Sequence, residues 1–228
     1  MKRLSVVMVF LAWCVTPANA DFDAGTAAYM DRDYATALRE WTPLADHGHA
    51  GAQFNLGVMY ANGQGVPKND KNDKEALRWY RLAANQGNAE AQFNLGLMYA
   101  NGQGGPRNDT EALYWYRLAA NQGNANAQVT LGTLHLAGQV VPQDDREALR
   151  WYRLAAEQRH AGAQYSLGIM YAKGYGVLQD YVQAHMWWSL AANQGNELAS
   201  SSRNQLAEKM SQSQIAQAQR LAREWKRK

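Results

Sequence analysis

Cysteine is all but missing from the sequence. The 228-residue chain has one, Cys14, and it falls in an N-terminal segment that reads as a signal peptide. Without it the rest of the chain has no disulfide, no thiolate nucleophile and no cysteine-based zinc site. The fold must then be held by burial alone, for which about 200 residues suffice. A large charge of one sign is also absent. Lys and Arg number 23 against 20 Asp and Glu, +3 overall, and +1 once Lys2 and Arg3 are set aside. That balance excludes an electrostatic footprint for nucleic acid. Catalytic signatures are lacking too. No Gly-x-Ser-x-Gly elbow and no Ser-x-x-Lys occurs, so no serine-acylation motif is present. The loop Gly63-Gln64-Gly65-Val66-Pro67 follows a predicted helix and lacks the Gly-Lys-Ser/Thr ending of a phosphate loop. Carboxylate pairs such as Asp144-Asp145 sit in polar loops, with no cleft to shift their pKa values. The histidines, His47, His49, His135, His160 and His185, offer one close pair and no third ligand, so neither a metal nor another cofactor is expected.

The first twenty residues carry their own pattern. Lys2 and Arg3 precede an apolar run over 4–15, and Pro17 precedes Ala18-Asn19-Ala20. A basic start, a short apolar stretch and a small-x-small site predict a secretory signal peptide over 1–20, cleaved near Ala20. The run falls short of the roughly 20 residues that a membrane span needs, and no later run is apolar enough. The mature chain is therefore expected in the periplasm of a Gram-negative bacterium or fully secreted, with no transmembrane segment.

What the sequence has in abundance is itself. Leu-Gly pairs fall at 56, 95, 131 and 167, at spacings of 39, 36 and 36. Aromatic pairs Trp79-Tyr80, Trp115-Tyr116, Trp151-Tyr152 and Trp187-Trp188 are each 36 apart. The longer interval comes from a tandem duplication, Lys68-Asn69-Asp70 then Lys71-Asn72-Asp73, expected in a loop. A period of this length is the mark of a repeat architecture. Each unit divides into two helices. In the second, Asn88 caps the first helix, and Ala91, Leu95, Met98 and Tyr99 recur at helical spacing. Gly102 and Gly104 stop it and Pro106 prevents resumption. Asp109 is expected to cap the second helix, whose buried face carries Ala112, Tyr116, Ala119 and Ala120, and Gly123 closes it. The leucines are expected between paired helices, the adjoining glycines where helices approach closely, and the aromatics in the gaps between successive units. One pair cannot bury both its apolar faces, so the pairs must stack.

The pattern A-x-A-Q-x-x-L-G-x-x-Y-x-x-G-x-G-V-P, followed by E-A-L-x-W-Y-x-x-A-A-x-x-G, resembles the Sel1-like repeat (SLR) family of tetratricopeptide-like α-solenoids. The resemblance implies an all-α solenoid, a superhelix of stacked antiparallel helix pairs. It spans units near 49–87, 88–123, 124–159 and 160–195, with a degenerate opening unit over 22–48 and a half unit over 196–210. Three departures bear on local geometry: Arg159 replaces a closing glycine, which is expected to loosen that turn, Val140 replaces a loop glycine, and Leu178 a loop proline. Over 211–228, Ser211 with Gln214 makes a capping box, and Ile215, Ala218, Ala222 and Trp225 form one stripe. This predicts a final helix covering the end of the stack. It carries a basic tail, Arg220, Arg223, Lys226, Arg227 and Lys228 against Glu224. Such cations complement a helix C-terminus or meet an acidic partner.

The resemblance also implies that the first helix of each pair lines a concave side. Mapped onto this chain, the implied protein-binding positions are Phe54, Asn55 and Val58; Phe93, Asn94 and Leu97; Thr130 and Thr133; and Tyr165, Ser166 and Ile169. Amides can bond an extended backbone through donor and acceptor, and aromatics supply anchoring area. The same stripe could equally pack as core, though Asn55 and Asn94 would then need buried partners. The expectation is an exported, non-enzymatic scaffold that binds another protein or peptide and regulates envelope signalling or assembly. Two alternatives stay open: a cell-wall-directed or β-lactam hydrolase with a site assembled across units, and an adaptor that self-associates through its C-terminal helix.

Overall fold

The computed structural model describes residues 20–67 and 69–226. Most of the expected signal peptide (1–19), Lys68 of the duplicated segment and the last two residues of the basic tail lie outside the described residues. Among the described residues there are helices and no strand: α1 (Phe22–Met30), α2 (Tyr34–Asp46), α3 (Ala50–Asn62), α4 (Asp70–Asn85), α5 (Ala89–Asn101), α6 (Asp109–Asn121), α7 (Ala125–Ala137), α8 (Asp145–Glu157), α9 (Ala161–Lys173), α10 (Tyr181–Ala192), α11 (Glu197–Ala207) and α12 (Gln212–Lys226). From α1 to α11 each helix packs on the next, giving an all-α solenoid of antiparallel pairs.

Short turns, 47–49, 86–88, 122–124, 158–160 and 193–196, join each pair to the next. At the end of α6, Gly123 sits at φ 92°, where its N–H reaches Ala120 O at 3.0 Å and the Asn124 N–H reaches Ala119 O at 3.0 Å. These are the two bonds of a glycine-closed helix end, and they satisfy carbonyls the helix leaves free. The Asn124 side chain then accepts from Ala127 N at 2.9 Å, capping α7. Asn88 and Asn196 repeat this. His49 and His160 stand in the same register and cap with Nδ1, at 3.1 and 3.2 Å.

Inside a pair, the leucine and glycine do different jobs. Leu56, Leu95, Leu131 and Leu167 are at most 1% exposed. A Cβ on Gly57, Gly96 or Gly132 would lie 2.5, 2.7 or 2.9 Å from the ring of Tyr80, Tyr116 or Tyr152, and Gly168 abuts Trp188 in the same way. The second aromatic of each pair is therefore buried within its own unit, against the glycine, and does not fill the gap between units as expected. The first aromatic does: Trp115 packs with Ala76 and Tyr80, and Trp151 with Ala112 and Tyr116. The opening pair follows the rule with Gly25 against Trp41. Where the ring is tryptophan its indole N–H bonds a carbonyl three residues before the glycine, Trp41 to Phe22 O at 3.2 Å and Trp188 to Tyr165 O at 3.0 Å.

The remaining expectations are modified locally. The cap of α6 is Asn108, whose Oδ1 accepts from Glu111 N at 3.1 Å. Asp109 pairs instead with Arg107 at 2.8 Å. The duplicated triplet does not lengthen a loop. It adds nearly one turn to α4, which has 16 residues where α6 and α8 have 13. Asn69 takes the capping position, accepting from Asn72 N at 3.1 Å, because a capping side chain works from either copy of the triplet. The turn at Arg159 is no looser than its glycine counterparts. Arg159 adopts φ 66° and keeps the closing bonds, Arg159 N to Ala156 O at 2.9 Å and His160 N to Ala155 O at 3.1 Å. Val140 likewise adopts φ 64°. The neighbouring hydrogen bonds hold the left-handed geometry whatever the side chain, at a cost of about 1–2 kcal/mol per residue.

Ser211 and Gln214 form the expected capping box of α12, Ser211 N to Gln214 Oε1 at 2.9 Å and Gln214 N to Ser211 Oγ at 3.3 Å. The helix then folds back along α10 rather than pairing with α11. Ala218 and Ala222 are buried with Met186, Trp187 and Leu190, and the Trp225 ring meets Trp187 edge-on at 5.9 Å. The apolar stripe of α12 thus packs within the chain.

Candidate protein-binding face

The eleven positions implied for binding lie on α3, α5, α7 and α9, the first helices of four successive pairs. None is buried: Thr133 is exposed and the others are half-buried. The aromatic members lean on the rings beneath them. Phe54 and Tyr80 have ring centres 6.0 Å apart, Phe93 and Tyr116 5.9 Å, and Tyr165 and Trp188 6.5 Å. Val58, Leu97 and Ile169 pack at the edge of the core shared with the next unit. The stripe is core on one side and surface on the other.

The polar ladder divides in two. Asn94 is engaged within the fold, since its side chain lies against the hydroxyl of Tyr80 and acts on its pKa. Burial is the main cause that pushes the Tyr80 phenol up, and the nearby Asn94 amide opposes it. Burial also pushes Tyr116 up to about 12, with Asp109 adding to the rise. Both phenols stay neutral and packed at physiological pH. Thr130 Oγ1 bonds back to Asn126 O at 2.9 Å, and Thr133 Oγ1 lies 2.9 Å from Tyr152 Oη. Asn55 and Ser166 make no side-chain hydrogen bond to another described residue, and both are half-buried. They are the free rungs.

A second ladder runs through the stack and fixes the spacing of the first. Gln53, Gln92, Gln128 and Gln164 are each at most 4% exposed. Each donates to the carbonyl near the end of the preceding helix: Ala45 O at 2.9 Å, Ala84 O at 3.1 Å, Ala120 O at 3.1 Å and Ala156 O at 3.3 Å. Each also accepts from a glutamine of the following turn: Gln86 at 2.7 Å, Gln122 at 2.7 Å, Gln158 at 2.9 Å and Gln194 at 2.8 Å. Buried amides satisfied at both ends hold one register. Sequence reasoning assigned them no role, although their recurrence with the Leu-Gly period was the available signal.

The Sel1 repeat model matches residues 50–88, 89–124, 125–160 and 161–196. The chain belongs to the Sel1 repeat family. Its helical repeat fold is one that generally mediates protein interactions. Among solved structures, a Sel1 repeat protein from Oxalobacter formigenes is 37% identical, with a TM-score of 0.70 over 75% of this chain and 49% of its own. A protective antigen of uropathogenic Escherichia coli with an SLR fold is 34% identical, with a TM-score of 0.80 over 90% of this chain and 44% of its own. The present chain thus spans less than half the length of either. An immunity protein from Pseudomonas aeruginosa shares the fold at 21% identity and a TM-score of 0.53, over 89% of this chain and 81% of its own. Comparison with curated proteins gives no match. Among the described residues no helix is long and apolar enough to cross a membrane.

Proposed function

We propose that this Sel1 repeat chain is an exported scaffold without catalytic activity. It holds an extended segment of another protein along α3, α5, α7 and α9, on the concave side of the solenoid, and it regulates envelope signalling or assembly. The observation that carries the reading is the half-exposed apolar stripe beside the free rungs Asn55 and Ser166. A half-buried ring is already held on one face, so covering the other face costs little ordering entropy. A free amide and hydroxyl at fixed spacing offer the donors and acceptors that an extended backbone needs. Export rests on the sequence pattern over residues 1–20.

A photo-crosslinking amino acid placed at Phe93 or Tyr165, compared with one at Tyr114, 53% exposed on α6, tests the face. The expected result is a discrete adduct from the first two sites, reduced by Asn55→Ala with Ser166→Ala at unchanged melting temperature. Adducts from Tyr114 alone would place the partner elsewhere. Mass spectrometry of the mature N-terminus in the periplasmic fraction is expected to find residue 21 first.

A further inference from the structure

Because α12 folds back onto α10, a cavity of about 500 Å³ opens among α10, α11 and α12. It shares no residue with the face described above, and lies where the last matched repeat meets α11 and α12. Arg203 of α11 and Arg223 of α12 both line it, and no Asp or Glu does. The ion pairs among the described residues use Arg39, Arg78, Arg107, Arg150 and Arg220; neither cavity arginine takes part. The hydrogen bonds of Arg203 go only to neutral oxygens, Asn204 Oδ1 at 3.2 and 3.0 Å and Ser200 Oγ at 3.5 Å. Asn193 and Gln219 add amide groups to the wall, and Ile215 and Ala222 give it an apolar side. At the back stand His185 and Ser189, 4% and 8% exposed. Burial, then the nearby Arg203 charge, holds the His185 pKa below its usual value, consistent with a positive field there.

We propose that this cavity is a carboxylate-binding site that takes an organic acid with a small apolar body, of the size of a terminal dipeptide. Two guanidinium groups without a counter-ion on the wall of a concave, partly apolar site attract an anion. Their planar donor forks suit a carboxylate in particular. The volume lies within the ordinary range of small-ligand sites. Two sources share the chemistry: a free organic acid and the C-terminal residue of a polypeptide.

Calorimetric titration of the signal-free chain with N-acetyl-Leu-Ala, its C-terminal amide, 3-methylbutanoate and inorganic phosphate tests the assignment. The free-acid dipeptide is expected to bind and its amide not to. Arg203→Gln and Arg223→Gln should each weaken binding roughly tenfold or more, as loss of a hydrogen bond to a charged group implies. Far-UV dichroism confirms that the variants fold. Ala207→Leu, which narrows the cavity while keeping both charges, should also weaken binding. Equal affinity for 3-methylbutanoate supports the site with a free acid as its ligand; a clear preference for the dipeptide supports it with a polypeptide terminus. Binding of the amide as tightly as the acid, tighter binding of phosphate, no binding at millimolar concentration, or full affinity in the double arginine variant each overturns it.

Discussion

Replacing Gln128 by leucine tests the glutamine ladder at mid-stack. The change keeps the volume and removes two hydrogen bonds, one to Ala120 O at 3.1 Å and one from Gln158 Nε2 at 2.9 Å. At about 1 kcal/mol each, the gross loss is about 2 kcal/mol. Neither abandoned group is left wholly unpaired. Ala120 O keeps the Gly123 N–H at 3.0 Å, and the exposed Gln158 amide turns to water. The larger penalty of an orphaned buried group is thereby avoided. A loss of about 2 kcal/mol lowers the melting temperature of a chain this size by about 4–8 °C. Urea unfolding followed by far-UV dichroism, with the slope m compared between variants, is the assay. Gln158→Leu removes one of the same two bonds but leaves the buried Gln128 Oε1 without its donor, so it should cost a comparable amount, about 1–3 kcal/mol. The double variant should then cost less than the sum of the singles. A midpoint for Gln128→Leu within the error of the unaltered chain would show that the ladder contributes nothing to stability. Full additivity of the two singles would show that the two glutamines do not act through each other.

Other changes probe the remaining features. Val140→Gly should raise stability by about 1 kcal/mol, read as a higher urea midpoint, because Val140 is half exposed and holds φ 64°, a conformation costly for a β-branched side chain. Gly132→Ala should lower stability by about 2 kcal/mol in the same assay, since the new methyl would lie 2.9 Å from the Tyr152 ring and overpacking of a close helix contact costs about 1–3 kcal/mol. Stability should also fall on acidification. Burial lowers the pKa of folded His185 below the ordinary 6.5, so the unfolded chain binds the proton more readily. Its contribution is complete above 6.5 and is lost as the pH drops through that value toward the folded pKa. His185→Gln should flatten that part of the profile in a series of urea midpoints. A profile left unchanged by the substitution would assign the acid sensitivity to other groups.

The period alone determined the architecture. Leucines and glycines 36 apart can all be buried only if each helix pair repeats the contacts of the last, so the sequence specified pairs, stacking and the order of elements. Capping was legible at Asn88 and at Ser211, where the side-chain chemistry acts within three or four residues. It was missed at His49 and His160 because histidine reads first as a ligand or packing residue. The left-handed conformations of Val140 and Arg159 were hidden because the turn is imposed by neighbouring hydrogen bonds and not by the residue itself. Likewise, the sequence named the eleven face positions but could not tell core from surface, since an apolar stripe at helical spacing looks the same in both. Tertiary structure alone divided Asn94, set against the Tyr80 hydroxyl, from Asn55. It alone sent α12 back over α10, where its stripe finds Trp187 and Leu190. An amphipathic helix encodes that it must be covered. Which surface covers it depends on contacts made far apart in sequence, and so does the cavity that this choice leaves open.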